Sequence, residues 1–74
     1  MDTTVTEAQT VGARIRQARR TAGYSQVGLA KALGVEQSYV SKWETGKHRP
    51  GRVYRLRIND VTGQDVFGEE APES

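Results

Sequence analysis

Gln37, Ser38, Ser41 and Lys42 share a short stretch of chain with Val40 and Trp43. At helical spacing the two apolar residues turn one way and the polar ones turn the other. A glutamine amide can pair bidentately with adenine, and a lysine can donate to guanine O6 and N7. A serine hydroxyl can donate or accept at a phosphate or a base edge. These are the chemistries of a helix lying in the DNA major groove with its back held by a small core. Little else in the chain offers chemistry. There is no cysteine, so neither a disulfide nor a thiolate zinc site is available. His48 is the single histidine, which excludes a histidine-rich metal site, and no cofactor is expected. The acids form no preorganised pair, since Glu69 and Glu70 sit in a loose polar tail, so a nuclease or other enzyme is not expected.

Side chains of this kind need a body behind them. The chain has 74 residues, one small domain, and such a domain buries only about 60% of the surface that its unfolded chain exposes. Ser25–Gly46 reads as two short helices bent about Gly34 and Val35, with Leu29, Ala30, Leu33, Val40 and Trp43 facing a common core. Ser25 suits the N-cap of a helix over about 26–33, and the next runs over about 36–44, closed by Gly46. Gly28 inside the first of these weakens it by about 1 kcal/mol against alanine, unless it lets another element approach. Upstream, Thr10 can cap a helix over about 11–22. Its Val11, Ile15, Ala18 and Ala22 recur on one face, with Arg14, Arg16 and Arg20 off it.

Residues 53–67 admit two readings. Val53, Leu56 and Val61 fit one helical stripe with Ile58 beside it. Tyr54, Leu56 and Ile58 also alternate with Arg55 and Arg57 as in a strand, which Asp65-Val66-Phe67 would answer to close a short β-hairpin. Residues 1–9 read as a flexible arm, 10–67 as the folded domain and 68–74 as a disordered acidic tail.

The formal charge of +2 conceals a segregation. Residues 11–58 hold every lysine and arginine, eleven in all, against only Glu36 and Glu44. The remaining acids lie in the flanks. A basic centre between acidic ends suits a polyanionic partner. No apolar run approaches the roughly 20 residues of a membrane span, and the N-terminus lacks the basic start and apolar stretch of a signal peptide. A cytoplasmic protein with no membrane partner is expected.

Ile15–Pro50 resembles the phage-repressor and Cro type of helix-turn-helix, the XRE family. The resemblance is carried by Ile15-Arg16, Arg19, Gly23, Ser25-Gln26, Leu29-Ala30, Leu33-Gly34-Val35, Val40-Ser41, Trp43-Glu44, Gly46 and Pro50, about half the chain. It implies an all-α, compact domain of four to five helices, and it favours the helix over the hairpin at 53–67. It also implies roles. Gln37, Ser38 and Lys42 match base-reading positions. Gln26 opens the helix that sits over the DNA backbone, where its N–H and amide can meet a phosphate. Tyr39 and Ser41 suit phosphates at the groove edge, and Lys47, Arg49 and Arg52 match positions that grip the backbone. Arg19 and Glu44 match a structural ion pair joining the first helix to the end of the recognition helix, and Trp43 belongs to the core.

The chain also departs from the family pattern. Val27 and Gly28 stand where acids are common, and Glu36 stands where a Ser or Thr cap is common. Gln64-Asp65 leads straight to Val66-Phe67, so the last helix, through which many relatives dimerise, is shortened or replaced.

The resulting expectation is a bacterial or phage-encoded, nucleoid-associated regulator that binds double-stranded DNA. It would act as a homodimer on half-sites about 34 Å apart or a multiple of that. The alternative is a protein-interaction module or antitoxin-like domain that takes a protein partner through residues 53–74.

Overall fold

The computed structural model describes residues 10–67. The arm expected at 1–9 and the acidic tail expected at 68–74 lie outside the described residues. Four helices follow one another: α1 (Val11–Thr21), α2 (Gln26–Leu33), α3 (Gln37–Thr45) and α4 (Arg52–Thr62). The fold is all-α, and no strand occurs among the described residues.

Local chemistry sets most of the boundaries. The Thr10 hydroxyl accepts from the Ala13 amide at 3.1 Å and starts α1. The Ser25 hydroxyl accepts from the Gly28 amide at 2.9 Å and starts α2. Each satisfies an amide that has no partner inside its helix. Glu36 occupies the N-cap of α3 in extended conformation and makes no side-chain cap bond, and the helix begins at Gln37, one residue later than the expected 36. Gly34, at φ +78°, turns the chain between α2 and α3. A β-carbon is disfavoured in that left-handed conformation.

The core gathers Ile15 and Ala18 from α1, Leu29, Ala30 and Leu33 from α2, Val40 and Trp43 from α3, Ile58 from α4, and Val66 and Phe67 beyond it. α1 and α2 pack on α3, and α4 packs on both α1 and α2. Gly12 makes the α1–α3 approach possible. A β-carbon there would collide with the carbonyl oxygen of Glu44. Gly28, the glycine considered for a close approach, meets only Ser25 and Tyr24 beside it. Ala22 is exposed, because α1 ends at Thr21 before the face can continue.

The segment after Pro50 corrects two expectations. The hairpin alternative is wrong, since residues 52–62 are helical. A lone two-stranded hairpin is marginal in water, whereas a helix buries Ile58 and Thr62 one turn apart and seats Tyr54 and Val61 beside the core. The expected helical stripe is also wrong. Val53 and Leu56 face solvent, and the buried stripe runs through Tyr54, Ile58, Val61 and Thr62.

No helix follows Gly63 among the described residues. Instead the Val66 amide donates to Asn59 Oδ1 at 2.8 Å and Gln64 Nε2 donates to the Ala18 carbonyl at 3.2 Å. These bonds fold the chain back so that Val66 and Phe67 close the core. Arg57 Nη1 donates to the Leu33 carbonyl at 3.0 Å, which ties α4 to the negative C-terminal end of α2.

Candidate nucleic-acid interface

α3 is held on one side and open on the other. Val40 and Trp43 are buried, and the Trp43 ring packs 5.5 Å from that of Tyr54 between centroids. Trp43 is therefore core and offers no platform for a stacked base. Around the helix, Gln37, Ser38 and Lys42 are exposed and Ser41 is half-buried. The period of 3.6 residues places all four on one flank.

The position of α3 is fixed by a polar network that begins in the core. Arg19 of α1 donates from Nε to Glu44 Oε2 at 2.6 Å and from Nη2 to Glu44 Oε1 at 3.2 Å. This two-bond fork is the strongest geometry a guanidinium and a carboxylate can adopt. Arg19 Nη1 donates to the Tyr24 carbonyl at 3.0 Å, and Arg16 Nε lies 3.5 Å from Glu44 Oε1. Gln26 Nε2 also donates to Glu44 Oε1, at 3.0 Å. Gln26 Oε1 in turn accepts from Gln37 Nε2 at 3.0 Å. A continuous chain of bonds thus runs from α1, through the buried end of α3 and the start of α2, to the first residue of α3 on the open flank.

The Glu44 carboxylate is charged in this setting. Burial pushes its pKa up, but the hydrogen bonds from Arg19 and Gln26 and the charges of Arg19 and Arg16 outweigh burial and hold it below the ordinary value.

Basic and aromatic side chains border the other end of α3. Lys47 and His48 amides both donate to the Lys42 carbonyl, at 2.9 and 3.3 Å, which folds the basic loop against the end of the helix. Tyr39, Lys42, Trp43, His48, Arg49 and Tyr54 line a groove of about 360 Å³ there. Tyr39 lies edge-on to Trp43, with centroids 6.2 Å apart. Lys47, Arg49 and Arg52 are exposed, the first two in the loop and Arg52 at the start of α4.

The structure therefore brings Gln26, Gln37, Ser38, Ser41 and Lys42 onto one surface, with Tyr39, Lys47 and Arg49 at its margin. Arg52, also exposed, follows at the first position of α4. Among the described residues no cluster of histidine, cysteine, aspartate or glutamate could hold a metal. The approach of Arg16 to Glu44 and the Gln26–Gln37 bond have no signature in the sequence, because each joins side chains on two different helices. This surface carries hydrogen-bond donors, acceptors and positive charge, which is the chemistry of binding.

Comparison with known proteins agrees. Residues 10–71 match the helix-turn-helix domain family. The chain is 46% identical over 55 residues to the uncharacterized HTH-type transcriptional regulator YazB of Bacillus subtilis (strain 168), covering 74% of this chain and 80% of that one. It is 38% identical over 56 residues to the HTH-type transcriptional regulator RamB of Mycobacterium tuberculosis (strain CDC 1551 / Oshkosh), covering 76% of this chain but 12% of RamB. It is 36% identical over 64 residues to an uncharacterized HTH-type transcriptional regulator of Sinorhizobium medicae (strain WSM419), covering 84% of this chain and 46% of that relative. No solved structure matches.

Proposed function

Since the chain belongs to the helix-turn-helix domain family, we propose that it is a cytoplasmic, non-enzymatic regulator that binds specific sequences in double-stranded DNA with α3 in the major groove. The observation that carries this reading is the open flank of α3. Its polar residues point outward while its opposite face and its first residue are fixed to the rest of the domain. Pre-positioned donors lose less freedom on binding than mobile ones do. Gln37, Ser38 and Lys42 read base edges. Gln26, Tyr39 and Ser41 meet phosphates at the groove margin, and Lys47 and Arg49 grip the backbone. Gln26 has a further task, because its amide bonds to both Glu44 and Gln37. It ties the base-reading residue to the core and sets its angle.

The test begins with a binding-site selection on random duplex DNA at fixed salt, followed by titrations on the selected site. Gln37→Ala and Lys42→Ala each weaken binding by about 1–3 kcal/mol and relax preference at particular base pairs. Lys47→Ala and Arg49→Ala weaken binding to every sequence alike and lower the salt slope by about one counterion each. If no sequence is enriched and no duplex is bound at low salt, the proposal fails. If all four variants behave alike, the division between reading and gripping fails.

A further inference from the structure

The basic centre of the chain, residues 11–58, holds two acids, Glu36 and Glu44. Glu44 is buried and engaged by Arg19 and Gln26. Glu36 is exposed. It makes no bond to the first-turn amides of α3, and among the described residues no ion pair holds its carboxylate. Its backbone is nevertheless fixed, since its carbonyl accepts from the Tyr39 amide at 3.0 Å. The residue after it, Gln37, is tied to Gln26. A free carboxylate is thus held at the end of α3 that leads into the groove in the proposed complex.

In that place an acid works against binding. Phosphates line both edges of the groove and repel it. An ionised carboxylate also has no proton to donate. Guanine O6 and N7 and thymine O4 are acceptors in the major groove, so both bases oppose it. Only cytosine N4 and adenine N6 donate there. The adenine amine stands beside N7, a second acceptor, which a carboxylate meets unfavourably. The cytosine amine has only carbon beside it on the groove edge. One base therefore relieves the penalty better than the other three.

From this we infer that Glu36 is a specificity-determining residue: it selects cytosine at the base pair facing the start of α3 by making the other bases there unfavourable. The inference rests on the DNA-binding function proposed above and adds a repulsive element to it. Gln37, Ser38 and Lys42 supply attraction, whereas Glu36 lowers affinity for wrong sites more than for the right one. A difference in affinity can be gained by either route. A serine or threonine at this position would cap α3. This chain forgoes that cap and presents a charge to the groove instead.

Glu36→Gln tests this, because it keeps the length of the side chain and removes the charge. Site selection on random duplex DNA is run with the parent and with the variant. The parent is expected to enrich cytosine at a position that the variant leaves open. Titrations then use four duplexes that differ only at that base pair. The parent prefers cytosine there over guanine or thymine by about tenfold, and the variant by less than about threefold. On a duplex of unrelated sequence the variant binds about threefold tighter than the parent and with a steeper salt dependence, since one repelling charge is gone.

Glu36 is exposed and makes no cap bond, so the two chains are expected to melt within about 2–4 °C of each other by circular dichroism. A change in DNA binding therefore does not arise from unfolding. Tighter binding of the variant to every duplex, with the base preference unchanged, would reduce Glu36 to a general repeller and overturn the inference. Specific binding by the parent with the same affinities and the same selected sequence in the variant would also overturn it, and would leave the DNA-binding proposal standing. A parent that enriches no sequence and binds no duplex fails that proposal, and this inference falls with it.

Discussion

Glu44 is an acid in the most basic part of the chain, and its side chain is 1% exposed. A lone buried carboxylate would be costly, so its charge is tolerable only because Arg19 and Gln26 bond to it and Arg16 lies close. Removing it strands Arg19 as an unpaired buried cation. Glu44→Ala is therefore expected to cost about 3–5 kcal/mol of stability, read by urea unfolding. The pH dependence follows from the lowered pKa. In the unfolded chain the carboxyl takes up its proton at the ordinary value of about 4.3, while in the folded domain it stays charged to lower pH. The stabilisation is complete above the unfolded pKa and is lost as pH falls through the folded one. Glu44→Gln keeps the shape and removes the charge, so its unfolding free energy is expected to depend less on pH below about 4.5 than that of the parent. Equal acid sensitivity in the two chains would mean that the charge of Glu44 does not matter.

At the scale of elements, the orientation of α3 depends on how closely α1 can lie against it. Gly12 sits in the first turn of α1, where alanine is ordinarily the better helix former by about 1 kcal/mol. The added methyl would nevertheless meet the Glu44 and Trp43 carbonyl oxygens, which belong to backbone and cannot swing aside. Gly12→Ala is thus expected to destabilise the domain by about 1–3 kcal/mol, opposite in sign to helix propensity. A thermal melt decides the sign, and a Tm at or above that of the parent would place α1 farther from α3.

The same contrast explains what the sequence made legible. Thr10, Ser25, Gly34 and Gly46 act on their immediate neighbours, so the bounds of the first three helices could be read to within one residue. The outward positions of α3 were legible because one period and one buried tryptophan define its flanks. Gly12 was not, because its partner is the backbone of a helix distant in the chain. The buried face of α4 is hidden from the sequence for a related reason. Val53 and Leu56 are as apolar as core residues, and only the packing of α4 on α1 and α2, with Tyr54 against Trp43 and the return of Val66 and Phe67, decides which side is covered. The Gln26–Gln37 bond joins residues on two helices and carries no local signature.

At the scale of the whole molecule, a thin core must support a surface built for another purpose. The polar flank of α3 contributes nothing to burial, and the basic centre of the chain repels itself when no polyanion is bound. Stability therefore rests on the few large side chains that are fully enclosed, among them Ile15, Leu29, Leu33, Ile58 and Phe67. Phe67 is the most consequential, because it is the largest of them and arrives from beyond α4. A chain of this length is expected to have a total stability of roughly 4–11 kcal/mol, and truncating a buried phenylalanine to alanine costs about 3–5 kcal/mol. Phe67→Ala is therefore expected to lose a large part of its folded population at 37 °C and to lose DNA binding with it, although Phe67 is buried and offers nothing to DNA. Phe67→Leu keeps most of the volume and retains both. The loss in Phe67→Ala acts through the folding equilibrium, so a duplex of the selected sequence at 100 times its Kd should recover about 2.7 kcal/mol of it by mass action. Circular dichroism melts with and without that duplex measure both effects. If Phe67→Ala melts with the parent, the core is closed by α4 alone. If it melts early and the duplex gives no recovery, its binding surface has been damaged directly.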